Sequence, residues 1–331
     1  MRRLSILASL IVVVLVLGAG MVVLAQAPPA QGAGQGAGQG AGPGGGAGRG
    51  DGGGRGGAGG APAIGLIPNK MGIYQVTGLG GNTTVLVTTD GLVVVDTKNL
   101  GEANYNQLMD QIKTVSQAPV RFAVVTHVHQ DHSGNTDSFI KAGTQVIAHE
   151  NLKKNLETYT SNAGKPGTPN VLYDTPALPT QTLPIRLGNA QVATVHYFGP
   201  GHTSGDSFVH FPAQRVIATG DALANAMNCD YAQGGSILSW AKALEAALKL
   251  DWDVAVPGHG PLMTKAEMQA AQARFAKIAA TAIDLVKKGT PKDQLIAQIT
   301  AADATLNVGQ LLQNNQARID LFYEDVVKAS K

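Results

Sequence analysis

Cysteine is nearly missing from this chain: Cys229 is the only one in 331 residues. That excludes an internal disulfide, and with it a disulfide-stapled scaffold or a cysteine-rich zinc finger. Charge is also scarce, at 15% of residues, and nearly balanced at +2 with histidine neutral. No basic block forms a nucleic-acid footprint, so no nucleic-acid partner is expected. What is present is apolar surface, 44% of residues, enough to bury a core in one large domain or two small ones.

The first residues lie outside any such core. Arg2 and Arg3 precede an apolar run from Leu4 to Leu24, which ends in Ala25-Gln26-Ala27. Residues 1–27 therefore read as a signal peptide with a small-x-small cleavage site, or as an uncleaved N-terminal membrane anchor. In both readings the arginines stay inside and the remainder is exported, to the periplasm or the extracellular space. No cysteine follows the run, so a lipoprotein anchor is not expected. Residues 28–68 are dominated by glycine and read as a disordered linker, with too little apolar surface to offset the entropy of ordering. A glycine-rich coil of that length spans roughly 35 Å and could hold a domain away from a membrane or wall, with the N-terminal apolar segment as a candidate membrane tether. Arg49-Gly50-Asp51 within it reads as a chance tripeptide.

From residue 69 onward the pattern becomes one of short apolar runs and turns. Strands are predicted at 72–78, 83–90, 91–97, 121–127 and 144–150, with helices at 102–114, 135–143 and 150–160. Residues 161–180 read as a long loop. Strands follow at 181–187, 190–198, 207–212, 214–219 and 252–257, with a helix at 237–249 capped by Ser236. Two or three further helices fill the chain from about 264. Strands first and helices interleaved, twice over, predict an α+β fold of two packed sheets with helices outside.

Eight histidines occur in the whole chain, and three fall in "HVHQDH" directly after a buried strand. His127 and His129 share a side of an extended segment. The turn that follows can bring Asp131 and His132 to the same space. Burying four such groups unpaired would be costly, and a divalent cation removes that cost. Imidazole and carboxylate are ligands that suit zinc where thiolate is lacking. His202 in "GPGHTSGD", Asp221 at the end of "RVIATGD" and His259 in "VPGHGP" have the same placement, at strand ends or tight turns.

These motifs, in this order, resemble the metallo-β-lactamase fold superfamily of metallohydrolases. "GGNTTVLVTTDGLVVVDT", ending at Asp96 and Thr97, resembles its opening strands. The likeness covers roughly residues 70–262. It implies a four-layer αββα sandwich of the metallo-β-lactamase type, with a dinuclear site at one edge of the sheets. By the same resemblance His127, His129 and His202 hold a first metal. Asp131, His132 and His259 hold a second, and Asp221 bridges the two. Asp96 supports the site without binding metal.

The implied cofactor is zinc, two per chain, with iron or manganese as alternatives. The implied reaction is hydrolysis of an ester, thioester, lactone, lactam or phosphodiester by a metal-bridging hydroxide. Asp131 and Asp221 are its catalytic carboxylates, and its partner is a small-molecule substrate. The best-known lactam-hydrolysing branch has a cysteine near the place of Asp221, so the pattern resembles more nearly the bimetallic hydrolase branches: thioesterases of the glyoxalase II kind, lactonases and phosphodiesterases. A one-iron persulfide dioxygenase of the same fold, a true β-lactamase and a non-catalytic module are the rival readings. Of the other histidines, His210 reads as structural and His149 has no assignment. His196 could reach the site from beside the "GPGH" turn. Asn228, Cys229 and Asp230 either line a pocket or simply solvate a loop.

Overall fold

The computed structural model describes residues 60–174 and 182–331. The signal-or-anchor segment, Arg49-Gly50-Asp51 and most of the glycine-rich stretch lie outside the described residues. Among the described residues no helix is long and apolar enough to cross a membrane.

A first sheet has seven strands in sequence order: β1 (Ala63–Leu66), β2 (Ile73–Thr77), β3 (Thr83–Thr88), β4 (Gly91–Val95), β5 (Val120–Val124), β6 (Gln145–His149) and β7 (Val171–Tyr173). The first four strands form an antiparallel meander. From β4 to β7 the pairing is parallel. Parallel neighbours need a crossover. These are carried by α1 (Glu102–Lys113), by the short α2 (Gln130–Ser133) with α3 (Thr136–Lys141), and by α4 (Glu150–Thr158).

The second sheet has six strands: β8 (Thr182–Leu187), β9 (Ala190–His196), β10 (Phe208–Phe211), β11 (Val216–Gly220), β12 (Val254–Pro257) and β13 (Met263–Thr264), stacked in that order. Its one parallel pair, β11 with β12, is bridged by α5 (Ile237–Leu248). The chain then runs through α6 (Lys265–Lys287), α7 (Lys292–Ala302), α8 (Val308–Leu311) and α9 (Gln316–Ser330).

Strand alternation decides the layers. Val93 and Val95 on β4 belong to the core between the sheets, together with Val195, Val209, Phe211 and Val216 of the second sheet. Leu92 and Val94 point the other way, into a core with Leu108 and Ile112 of α1, Phe139 of α3 and Leu152 of α4. With both faces covered, β4 reads as an unbroken apolar run. The outer face of the second sheet packs Phe208, Ile217 and Ala255 against Trp240 and Leu244 of α5, Phe275 of α6 and Phe322 of α9. Each fully buried Val, Leu, Ile or Phe contributes roughly 1.5–3 kcal/mol. The result is the αββα sandwich that the sequence predicts.

Three details differ from the sequence reading. β1 lies inside the stretch 28–68 read as linker. Ala63–Leu66 finds partners along β2, and Ile64 N donates to Gln111 Oε1 at 3.1 Å. β7 lies inside the predicted loop 161–180, where Val171–Tyr173 adds itself to β6 despite its polar surroundings. After residue 264 the described residues form four α-helical segments rather than two or three, because α8 is a single turn between α7 and α9, and a 3-10 turn at Ala304–Leu306 precedes it.

Candidate metal centre

All seven candidate ligands sit at one edge of the sandwich, and the parallel strands put them there. In a parallel pair both strands end on the same side, so loops leaving those ends share one space. β5 delivers His127 and His129, and the turn of helix after it carries Asp131 and His132. β11 ends in Asp221 and β12 in His259, while His202 comes from the loop between β9 and β10. Two close approaches require glycine. A side chain at Gly258 would begin 2.0 Å from Asp221 Oδ1, and one at Gly81 would begin 2.2 Å from the His132 ring.

The ligands form two groups. In the first, one donor atom from each of His127, His129, His202 and Asp221 lies within 4.8 Å of the others. The second is built the same way from Asp131, His132 and His259. Asp221 stands astride the two. Its Oδ2 is 3.9 Å from His127 Nε2 and 3.6 Å from His202 Nε2. Its Oδ1 is 3.3 Å from His132 Nε2 and 3.5 Å from His259 Nε2.

The hydrogen-bond network fixes which ring nitrogens face inward as lone pairs. Asp96 accepts from Thr126 N at 2.8 Å, from Thr126 Oγ1 at 2.9 Å and from His132 Nδ1 at 2.8 Å. The Thr126 hydroxyl has spent its hydrogen there, so it accepts from His127 Nδ1 at 3.1 Å. His202 Nδ1 donates to Asn228 O at 2.7 Å. His129 Nε2 donates to Asp230 Oδ2 at 2.9 Å. The inward atoms are therefore His127 Nε2, His129 Nδ1, His132 Nε2 and His202 Nε2.

These atoms fit metal ions. His202 Nε2 and His129 Nδ1 face each other at 3.0 Å with both protons committed elsewhere. His132 Nε2 and His259 Nε2 are 3.2 Å apart. Among the described residues, His127 Nε2 and Asp221 Oδ1 are buried with no hydrogen-bond partner. Buried lone pairs crowded in this way demand cations. The pKa directions report the same demand. Burial alone would lower His132, yet Asp131, Asp221 and Asp96 outweigh it and raise its pKa well above the usual value. Burial would raise Asp131, but His132 and His259 pull it down to about 2. Burial and the neighbouring imidazoles hold His127 well below its ordinary value, with only Asp221 opposing them.

The remaining residues divide cleanly. His149 caps α4 by accepting from Asn151 N and stacks on Tyr197. His196 packs beside Phe198 and His210, apart from both ligand groups. His210 meets Asp251 O at 2.9 Å. Ser236 caps α5 as predicted. Asp230 does more than solvate its loop, since it holds His129. Lys98 escaped the sequence reading. Fully buried, it donates to Val76 O at 2.6 Å and Gly81 O at 2.7 Å, fixing the turn that packs on His132. Asp96 and Lys98 both sit in left-handed backbone, with φ of 67° and 66°. Such conformations are costly for residues other than glycine and cluster at functional sites.

With this geometry in view, the family model described as "Metallo-beta-lactamase superfamily" matches residues 76–259, more than half of the chain and every candidate ligand. The chain belongs to that superfamily. Its curated relatives include 2,4-dinitroanisole O-demethylase subunit alpha of Nocardioides sp. (strain JS1661), 25% identical over 67% of this chain. Metallo-beta-lactamase IND-1 of Chryseobacterium indologenes is 28% identical over 58% of this chain and 80% of its own length. The human acyl-coenzyme A thioesterase MBLAC2 is 26% identical over 48% of this chain. The match spans 63% of the demethylase subunit and 63% of the thioesterase. Among solved structures, a metallo-beta-lactamase from Pontibacter korlensis superposes with a TM-score of 0.54 at 23% identity, covering 65% of this chain and 98% of its own. A double mutant of the sec-alkyl sulfatase PisA1 gives 0.60 at 18% identity, covering 80% of this chain and 50% of its own. The superfamily match and the curated relatives support a metal-dependent, hydrolase-type function in general terms, and the solved structures share the fold.

Proposed function

We propose that the protein is an exported, dinuclear zinc hydrolase acting on a small molecule that carries an ester, thioester, lactone, lactam or phosphodiester bond. One observation carries the reading: Asp221 presents one carboxylate oxygen to each of two complete ligand groups. A complete second group favours two cations over one. His127, His129 and His202 would hold one cation and Asp131, His132 and His259 the other, with Asp221 shared. When bound, the cations supply Lewis acidity, lowering the pKa of a water and polarising the oxygen of the bond to be cleaved.

The chain's own groups supply position and proton handling. Asp131 is the most exposed carboxylate of the cluster, its side chain 20% accessible. With His132 and His259 holding its pKa down to about 2, it is a carboxylate acceptor that could orient a water rather than store a proton. Asp221 holds the two ligand groups in register. The apolar run Leu4–Leu24 behind Arg2 and Arg3 supports export, and a membrane tether if the segment is retained.

The test is metal analysis joined to a substrate panel. The zinc-loaded protein is offered nitrocefin, a thioester, a lactone, a nitrophenyl phosphodiester and, because of the demethylase relative, 2,4-dinitroanisole. Two zincs per chain, with turnover that a chelator removes and zinc restores, is the expected result. One iron per chain with oxidation of a persulfide would replace the reading with oxygen chemistry. Fractionation of cells expressing the full chain, with the domain outside the cytoplasmic membrane, tests export.

A further inference from the structure

The superfamily match ends at residue 259, and α6 to α9 all lie beyond it. They reach back to the metal centre through one loop. Residues 228–236 supply both hydrogen-bond partners that orient the first ligand group from this side: Asn228 O for His202 and the Asp230 carboxylate for His129. The loop's backbone is fixed locally, since Gln233 N and Gly235 N donate to Asp230 O, and Asp230 N and Ser236 N donate to His202 O and Gly201 O. The C-terminal helices add a second hold, and they reach the Asp230 side chain. Arg318 on α9 places Nη2 3.2 Å from Asp230 Oδ1 and donates from Nη1 to Cys229 O at 3.3 Å. Asp325, two turns further along α9, accepts from Ser236 Oγ at 2.7 Å and from Tyr231 Oη at 3.2 Å. Cys229 N donates to Leu311 O of α8 at 2.8 Å. Among the described residues the second ligand group has no such hydrogen bond or ion pair to α8 or α9. His132 is oriented by Asp96, and the turn over it is pinned by Lys98.

We propose that Arg318 is a positioning residue for the first metal group, acting through Asp230 on His129, and that α8 and α9 form a brace for that group alone. The proposal rests on the metal-site reading above. A hydrogen-bonded partner fixes both the orientation and the basicity of a ligating histidine, and its loss typically costs about 10–100-fold in metal affinity. Asp230 is half of such a pair, and the planar guanidinium fork holds it. Without Arg318, Asp230 Oδ1 is left with the bond that it accepts from Ala232 N, and the carboxylate is less firmly aimed at His129 although the Asp230 backbone stays fixed.

The experiment measures zinc affinity, by competition with a chelator, in two backgrounds of the full chain. His259→Ala cripples the second group and reports on the first; His202→Ala does the reverse. Arg318→Met should weaken zinc about 10-fold or more in the His259→Ala background and by less than about threefold in the His202→Ala background. Arg318→Lys, which keeps charge without the fork, should fall between wild type and Arg318→Met. It also stands in if the methionine variant fails to fold. Asp325→Asn should shift the first group in the same direction by a smaller factor. Equal weakening of both groups would mean general loosening and overturn the proposal, as would no change in the first. A wild-type chain that binds no metal would fail differently: it would overturn the parent reading before the brace is reached.

Discussion

The two ligand groups are neighbours with similar chemistry, yet they are held by different parts of the molecule. The Asp131, His132 and His259 group is steadied from within the matched superfamily segment. Asp96 fixes His132, Lys98 fixes the Gly81 turn, and Asn82 Nδ2 donates to Pro257 O at 2.9 Å just before His259. The His127, His129 and His202 group leans partly on the loop 228–236 and, through it, on helices outside that segment. Asp96 crosses the divide, because Thr126 relays its hydrogen bond to His127. The lesson is that candidate ligands lying within the superfamily segment can have part of their orientation supplied by helices outside it.

Removing the one residue common to both groups should have the largest effect. Asp221→Ala is expected to lower turnover about 10³-fold or more, roughly 4 kcal/mol in barrier, with loss of both metals and a retained fold. Steady-state kinetics with metal analysis and circular dichroism checks it; loss of one metal alone would show that the two groups do not share the carboxylate.

A histidine outside the site sharpens the contrast next. His196 is buried like His132, but among the described residues neither of its ring nitrogens has a hydrogen-bond partner. Burial, and then His210, lowers its pKa to about 4. The unfolded chain takes up this proton near pH 6.5 and the folded chain only near pH 4, so folding stability falls as pH drops between those values. The loss is up to about 3 kcal/mol, from 1.36 kcal/mol per pKa unit. Denaturant unfolding from pH 7 to pH 4 should show His196→Phe with a flatter decline than wild type. Identical slopes would mean the ring is not protonated on unfolding.

Asp96→Ala should weaken metal binding about 10–100-fold at the second group. It should also weaken the first by less, because only the Thr126 relay is disturbed. It leaves Thr126 N without its carboxylate, which costs about 1–3 kcal/mol in thermal unfolding. Asp230→Asn, the smallest change, should weaken zinc about 10-fold at the first group and leave the second unchanged. Calorimetric titration separates the two variants. If Asp96→Ala spared the second group, or Asp230→Asn weakened it, the division of labour described above would be wrong.

The ligands were legible because their chemistry is rare and local. Three histidines and an aspartate in six positions stand out in a chain with so few histidines. His202, Asp221 and His259 follow apolar runs whose ends the strand pattern marks. Asp96 was legible through the superfamily likeness. The braces were not. Arg318 is an ordinary basic residue on an amphipathic helix, and its partner Asp230 is far away in sequence, so only the folded chain joins them. Lys98 lies in a turn where lysine is normally exposed, and its burial is a tertiary fact. β1 was missed because its four residues carry little signal beside the glycine run, and their partner strand supplies the order. β7 was missed because proline, glycine and asparagine around it are turn formers, while β6 offers an open edge to pair with. Local composition locates chemistry well, and long-range support poorly.

Anomalous X-ray scattering at the zinc edge, from crystals of the zinc-loaded protein, tests the central claim most directly. The account predicts two peaks per chain, one among His127, His129 and His202 and one among Asp131, His132 and His259, with Asp221 touching both. A single peak, or peaks away from these side chains, would contradict it.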